Sequence, residues 1–421
     1  MSSLEYYGYI GNILYVDLSR ERVEQRKLEY DDIDRFLGGI GLATKIIVEE
    51  ISNPGIDPFS PDNILVFMTG PLTGSPVYGA ARYVVASKSP LTMAWGETHI
   101  SGYWGPELKK AGFDGIVIKG RASTPVYLYI HDGVVEIRDA SKLWGLDIFE
   151  TDEIIKKDIG DNSVRVAAIG PAGENLSRIA CIASDIQPNG PRIGGRTGMG
   201  AVMGSKNLKA IAVKGNGKIK VKDASRVSSI LSRLLPLIMS SPTAQILATF
   251  GTAGEVEEFY EYGDMPIKNF TVGEFEGYRN ITGQSFKEKG IVVDVYGCWA
   301  CPVKCWKVVE VDGRRVRAPE YETIASLGTL LMIDDPSYLA KVNYLCCRYG
   351  IDTISIGVTI AWAMECFEKG LITLNDTGGM ELRWGDKEVA LKLVEMIGKR
   401  VGFGNILAEG CREASKIIGR G

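Results

Sequence analysis

Two periods of hydrophobic residues divide the chain. Up to about residue 216 the apolar positions alternate, or run unbroken for five or six residues, as strands do; from about Asp223 they recur every three or four residues, as on one face of a helix. The strand-rich part also repeats itself. Asn63 to Pro71 is an apolar strand ending in Gly70-Pro71, and Val164 to Pro171 is another ending in Gly170-Pro171. An arginine and a small-residue strand follow each: Arg82-Tyr83-Val84-Val85-Ala86-Ser87, then Arg178 to Ser184. A leucine-lysine turn and a closing strand complete each copy, Leu108-Lys109 to Gly120 and Leu208-Lys209 to Gly215. Nearly equal offsets at three landmarks point to an internal duplication over about 8–120 and 121–216. The alternating Ile13 to Asp17 and Val126 to Ile130 lead each copy into a polar turn and a second strand. Each unit should hold one or two short helices, and two units side by side make a pseudo-twofold platform.

Helical signals carry the rest. Val227 to Met239 is amphipathic, with a break or kink expected at Pro236. Pro319-Glu320-Tyr321-Glu322-Thr323 opens a helix through Leu331, and Asp335-Pro336-Ser337 caps one running to Tyr349. Gly350 stops that helix and Asp352 caps the next, at a positive helix end. Helices Thr353 to Glu368, Lys387 to Arg400 and Asn405 to Ile418 finish the chain. The expected fold class is α+β, with a duplicated strand-rich platform domain over 1–216 followed by a mainly helical domain over 217–421.

Composition changes this picture little. A 45% hydrophobic content can bury a sizeable core, and a net charge of −4 gives no electrostatic reason to expect nucleic acid. The first residues lack a secretory pattern and no run approaches about 20 apolar residues, so a cytoplasmic protein with no membrane association is expected. The fifty glycines suggest backbone that must approach something closely. Gly194-Gly195-Arg196-Thr197-Gly198-Met199-Gly200, beside Arg192, suits a phosphate through exposed N–H groups and guanidinium forks. Equally, a glycine turn with an arginine is ordinary loop chemistry.

The chemistry concentrates in Gly297-Cys298-Trp299-Ala300-Cys301-Pro302-Val303-Lys304-Cys305, which holds three of the eight cysteines at C-x2-C-x3-C spacing. Disulfides between such close neighbours would be strained, whereas three thiolates can converge on one inorganic centre, an iron–sulfur cubane or zinc. Both want four ligands, so one is missing locally. Three buried free cysteines are the bland alternative.

These residues together resemble the tungsten-containing aldehyde ferredoxin oxidoreductase family, from residue 6 to the end. The shared markers are Gly70-Pro71-Leu72-Thr73-Gly74, Arg82, Gly195 to Lys209, the cysteine run, Pro319 to Thr323 and Gly350 to Ser355. The resemblance implies tungsten, or molybdenum, held by two pterins, with a 4Fe-4S cluster close by. It makes Cys298, Cys301 and Cys305 cluster ligands and Arg82 the arginine between cluster and pterin. Arg192, Ile193, Gly195 and Arg196 take the pterin-contacting turn, with His99 and Ser101 at further pterin positions. The family's D-x-x-G-L-D loop falls on Cys347-Arg348-Tyr349-Gly350-Ile351-Asp352, so Cys347 stands where the first aspartate is expected. Glu322 is the first choice for the carboxylate beside the metal, Glu320 the second. The implied reaction oxidises a small aldehyde to a carboxylate and passes electrons to ferredoxin.

The resemblance also implies a third domain, with a fourth cluster cysteine and an active-site histidine, that this sequence does not contain. Cys346, Cys347, Cys366 and Cys411 stand in helices and read as buried filler rather than ligands; His131, before Asp132-Gly133, reads as an exposed turn residue. The expected partners are a separate polypeptide supplying that domain, or further copies of the chain, since an apolar face should be left open. A non-catalytic remnant or scaffold, and a zinc-stabilised structural protein, are the alternatives.

Overall fold

The computed structural model describes residues 6–420. Its front part contains two six-stranded sheets. The first is built from β1 (Asn12–Asp17), β2 (Arg22–Lys27), β3 (Leu65–Thr69), β4 (Tyr83–Lys88), β5 (Trp95–Ile100) and β6 (Gly115–Lys119), in the order β2-β1-β6-β3-β4-β5. The second holds β7 (Val126–His131), β8 (Val134–Asp139), β9 (Arg165–Ala168), β10 (Ile182–Ser184), β11 (Arg192–Gly194) and β12 (Leu208–Lys214), in the order β11-β10-β9-β12-β7-β8. Read from the other end, the second order is the first. Even the single parallel pairing recurs, β1 with β6 and β7 with β12.

The repeated apolar runs explain the packing. Leu14, Phe67, Val85 and Ile116 from one sheet and Leu128, Ala167, Ile182 and Ile211 from the other share one core, with Trp104, Leu108, Met199 and Val202 from two short helices between them. The outer face of the first sheet is covered by the helix Ile40–Glu50, that of the second by Ile148–Ile159. The leucine-lysine turns have a structural use. Lys109 Nζ, fully buried, donates to the Gly70 carbonyl at 2.7 Å, and Lys209 Nζ to that of Leu146 at 2.8 Å. Burial pushes the Lys109 ammonium down to about 8, against the pull of Asp114.

Several expectations need correction. Each repeat carries three helices rather than one or two: Tyr30–Phe36, Ile40–Glu50 and Trp104–Lys110 in the first, Ile148–Ile159, Pro171–Glu174 and Met199–Ser205 in the second. Pro236 does not break its helix, which runs Ala224–Ser240. The turn comes at Ser241-Pro242, where the next helix leaves at 76°, because a proline at a first helical position forfeits no bond and holds the residue before it extended. Gly328 divides the expected Tyr321 to Leu331 helix, and the last helix is two, Phe403–Leu407 and Gly410–Ile418, parted by the left-handed Gly410. Arg178 does not mirror Arg82; it pairs with Glu409 at 2.6 Å.

The mainly helical part also contains an unexpected antiparallel sheet of β13 (Val292–Tyr296), β14 (Trp306–Val311) and β15 (Arg314–Arg317). Its signals were an alternating run and Asp312-Gly313, a two-residue hairpin turn. Val309, Val311 and Val316 bury it against the second platform sheet. The remaining helices form their own core. Among the described residues no single helix is long and apolar enough to cross a membrane.

Candidate functional site

The cysteine run is the loop between two paired strands. Tyr296 ends β13, Trp306 opens β14 opposite it, and residues 297–305 close the gap. Ala300 and Lys304 adopt left-handed backbone, which curls the loop tightly enough to turn its sulfurs inward. The platform then pins it: the Trp299 main-chain N–H donates to the Gly102 carbonyl at 3.1 Å, and its indole N–H to the Ser75 carbonyl at 2.8 Å. The three sulfurs consequently line one cavity of about 400 Å³, together with Ser101, Arg192 and Arg82. Arg192, buried, donates from Nη2 to Cys298 Sγ at 2.8 Å and lies over the Trp306 ring at 4.1 Å.

A larger cavity of about 640 Å³ adjoins it. Arg82, His99, Ile193, Arg317 and Glu320 line both. Gly195, Arg196, Glu322, Cys347, Ile351 and Asp352 line only the larger. Every residue given a catalytic, cofactor or cluster role from the sequence therefore borders one or other of two neighbouring cavities. Glu97, Thr98, Asn343 and Arg317 also border the larger one and were missed. Alternation along β5 was the available signal for Glu97, two residues before His99. Nothing in the sequence marked Arg317.

Local structure explains how Asp352 reaches the platform. The helix Pro336–Tyr349 stops at left-handed Gly350, whose carbonyl accepts from Cys181 N–H at 2.8 Å. A Cβ on Gly170, in the repeated Gly-Pro corner, would lie 2.4 Å from the Tyr349 carbonyl oxygen, so only glycine lets this helix end dock. Asp352 then caps the helix Thr353–Glu368, accepting from Ser355 N–H at 2.9 Å and Ser355 Oγ–H at 2.6 Å. Its Oδ1 would sit 2.6 Å from a Cβ on Gly195, which is why that turn is bare backbone.

The charges around the cavities are unequal. Arg82 is exposed with no side-chain partner among the described residues, and Arg196 meets Glu322 only at 3.8 Å. Arg317 is ion-paired with Glu320. Burial and the neighbouring Arg192 push its guanidinium below the usual range, while the Cys305 and Cys298 sulfurs pull the other way. The buried Cys347 thiol is pushed up to about 12 and is held neutral at pH 7. His99 Nε2 lies 3.2 Å from Glu97 Oε1; His131 is not the exposed turn residue expected but the half-buried last residue of β7, paired with Val134, and contacts Glu136 at 2.9 Å away from both cavities.

Donor chemistry decides what fits. One ion held at about 2.3 Å by three thiolates needs sulfurs about 3.8 Å apart. Among the described residues no trio of Cys, His, Asp or Glu is gathered closely enough for one ion. A cubane carries its ligands on separate corners and suits three sulfurs spread around a roomy cavity beside a guanidinium. Cys346, Cys347, Cys366 and Cys411 do not line that cavity. The larger cavity, with Arg82 unpartnered among the described residues and Arg196 loosely held, fits an extended anion such as a phosphate-bearing pterin.

Comparison with known proteins covers most of the chain. Residues 13–215 match the family model described as aldehyde ferredoxin oxidoreductase, N-terminal domain, and residues 229–421 the one described as domains 2 and 3 of that enzyme. The tungsten-containing aldehyde ferredoxin oxidoreductase of Pyrococcus abyssi is 42% identical over 96% of this chain and 66% of its own length. The aliphatic sulfonate oxidoreductase, WOR-like subunit, of Pyrococcus furiosus is 35% identical over 97% of this chain and 67% of its own. A solved structure described as the active site complex BamBC of benzoyl coenzyme A reductase with 1,5-dienoyl-CoA superposes with a TM-score of 0.88 at 31% identity, over 99% of this chain and 64% of that one. The chain thus spans about two thirds of the length of these relatives.

Proposed function

The chain belongs to the aldehyde ferredoxin oxidoreductase family, and from that premise we propose that it oxidises a small aldehyde to a carboxylic acid and delivers the electrons singly to ferredoxin. The supporting observation is the wall shared by the two cavities. Arg82, His99, Ile193, Arg317 and Glu320 each face both, so a centre in the larger would be separated from one in the smaller by single side chains. A soluble electron carrier as partner is the reason to place the activity in the cytoplasm.

A bis-pterin of tungsten or molybdenum in the larger cavity, with a 4Fe-4S cluster in the smaller, would supply the two-electron chemistry and its one-electron exit. The protein's share is binding and orientation. Arg82, Arg192 and Arg196 meet anionic groups; His99, Ser101, Ile193, Gly195, Cys347, Ile351 and Asp352 shape the remaining wall. Cys298, Cys301 and Cys305 hold the cluster. Aldehyde and water yield a carboxylic acid, two protons and two electrons, and Glu322 Oε2, 3.8 Å from Arg196 Nη2, takes a proton. Glu320, tied to Arg317, is the second carboxylate within reach. Aldehyde is preferred to sulfonate as substrate because identity is 42% to the former enzyme and 35% to the latter.

Among the described residues no fourth cysteine lines the smaller cavity. That observation also favours a second reading, a cofactor-binding remnant without turnover. Elemental analysis for tungsten, molybdenum, iron and zinc, followed by aldehyde-dependent viologen reduction with and without a polypeptide matching the relatives' remaining third, separates the readings. Tungsten or molybdenum with iron and aldehyde-dependent reduction supports the first. Both metals without turnover in either arm selects the remnant. Zinc alone refutes both.

A further inference from the structure

Trp306, directly after Cys305, is a fixed plate. It is buried, its indole N–H donates to the Asn189 carbonyl at 3.1 Å, and Tyr296 meets it edge-on at 5.2 Å. Two guanidiniums lie against this ring, Arg192 at 4.1 Å and Arg317 at 5.9 Å from its centroid. Two like charges at one buried place are costly unless anions meet them. Arg192 has Cys298 Sγ. Arg317 has Glu320, and its main chain is held by Asn343 Nδ2 donating to its carbonyl at 2.9 Å. Its side chain is only 13% exposed and lines both cavities, whereas Glu320 is 39% exposed. The proposed reaction gives Arg317 no role.

We propose that Arg317 and Glu320 form a counterpoised charge pair that sets the reduction potential of the iron–sulfur cluster held by Cys298, Cys301 and Cys305. This rests on the cluster assignment above and adds a positioning pair behind it. One electron entering the cluster adds one negative charge, with no bond made or broken. A buried guanidinium beside the sulfurs favours that reduced state, and a carboxylate on the guanidinium offsets part of the benefit. The two side chains therefore act on the potential with opposite sign, which a merely structural pair would not do. Glu320, the more exposed, acts through more water and has the smaller effect.

The test is an anaerobic redox titration of the purified protein with dithionite and mediators, followed by the electron paramagnetic resonance of the reduced cluster. Arg317→Gln should lower the reduced-to-oxidised ratio at fixed potential about tenfold, a fall of about 59 mV for one electron. Glu320→Gln should raise it about threefold, and Arg317→Lys, which keeps the charge, should stay near the unaltered protein. Shifts of the same sign in Arg317→Gln and Glu320→Gln, or none in either at unchanged iron content, overturn the proposal while leaving the cluster assignment standing. Should Arg317→Gln not fold, the sign in Glu320→Gln decides alone: upward supports the pair, unmoved or downward overturns it. Unaltered protein that binds no iron refutes the cluster assignment itself, and the pair with it.

Discussion

Gly195→Ala tests how the platform and the helical part are fitted together. The backbone at Gly195 (φ −73°, ψ −62°) suits any residue, so the entire effect is contact. An added Cβ would lie 2.6 Å from Asp352 Oδ1, and an ordinary C···O approach is about 3.3 Å, so the carboxylate must retreat by about 0.7 Å. Asp352 is 3% exposed and has no slack, because the same carboxylate takes the Ser355 N–H at 2.9 Å and the Ser355 hydroxyl at 2.6 Å. Losing a helix cap costs about 1 kcal/mol, and overpacking costs about 1–3 kcal/mol. A penalty of about 2 kcal/mol follows, concentrated at the start of the helix Thr353–Glu368. Amide exchange at Ile354 and Ser355 should accelerate roughly thirtyfold, at tenfold per 1.36 kcal/mol. In an Asp352→Ala background the obstructing oxygens are gone, and the same substitution should cost no more than about 0.5 kcal/mol. Equal acceleration in both backgrounds would refute the claim that Gly195 is small on account of Asp352.

Four further outcomes are expected. Cys298→Ser, Cys301→Ser and Cys305→Ser should each remove roughly half or more of the bound iron, while Cys181→Ser, at a buried position away from the cavity, should leave it unchanged; iron assay of the four variants decides, and equal iron in all of them would sink the ligand assignment. Arg82→Ala should lower tungsten or molybdenum content and leave the unfolding free energy, read from urea midpoints, within about 0.5 kcal/mol, since Arg82 is exposed and unpartnered among the described residues. Asp152, buried beside Lys156, is pushed up to about 6 by desolvation. The native state then keeps a proton that the unfolded chain releases near pH 4, so stability falls as pH rises from about 4 through 6; urea midpoints should show the unaltered protein losing about 2 kcal/mol relative to Asp152→Asn over that range, and parallel curves would refute it. Gly357→Ala should cost about 3 kcal/mol or prevent soluble expression, because its Cβ would meet the Ser326 carbonyl oxygen at 2.4 Å where two helices cross backbone to backbone; a normal melting curve would count against that packing.

By itself the sequence determined the repeat. Strand pairing follows from local apolar runs, and the same runs at nearly the same offsets pair the same way twice, which yields two sheets whose strand orders are mirror readings of each other. It also marked the candidate residues for the chemistry, because clustered cysteines and the caps around Gly350 and Asp352 are written in contiguous residues. The tertiary structure decided what lies between them. Arg192 and Arg317 stand far apart in the chain and meet only because Trp306, on a strand of the small sheet packed against the second platform sheet, lies against both. Pairing Arg317 with Glu320 and leaving Arg82 open are likewise results of packing. The physical reason is range: turns, caps and periodicity act over a few residues, whereas the field at a buried site is summed over whatever charges the fold has folded inward, and no local pattern records that sum.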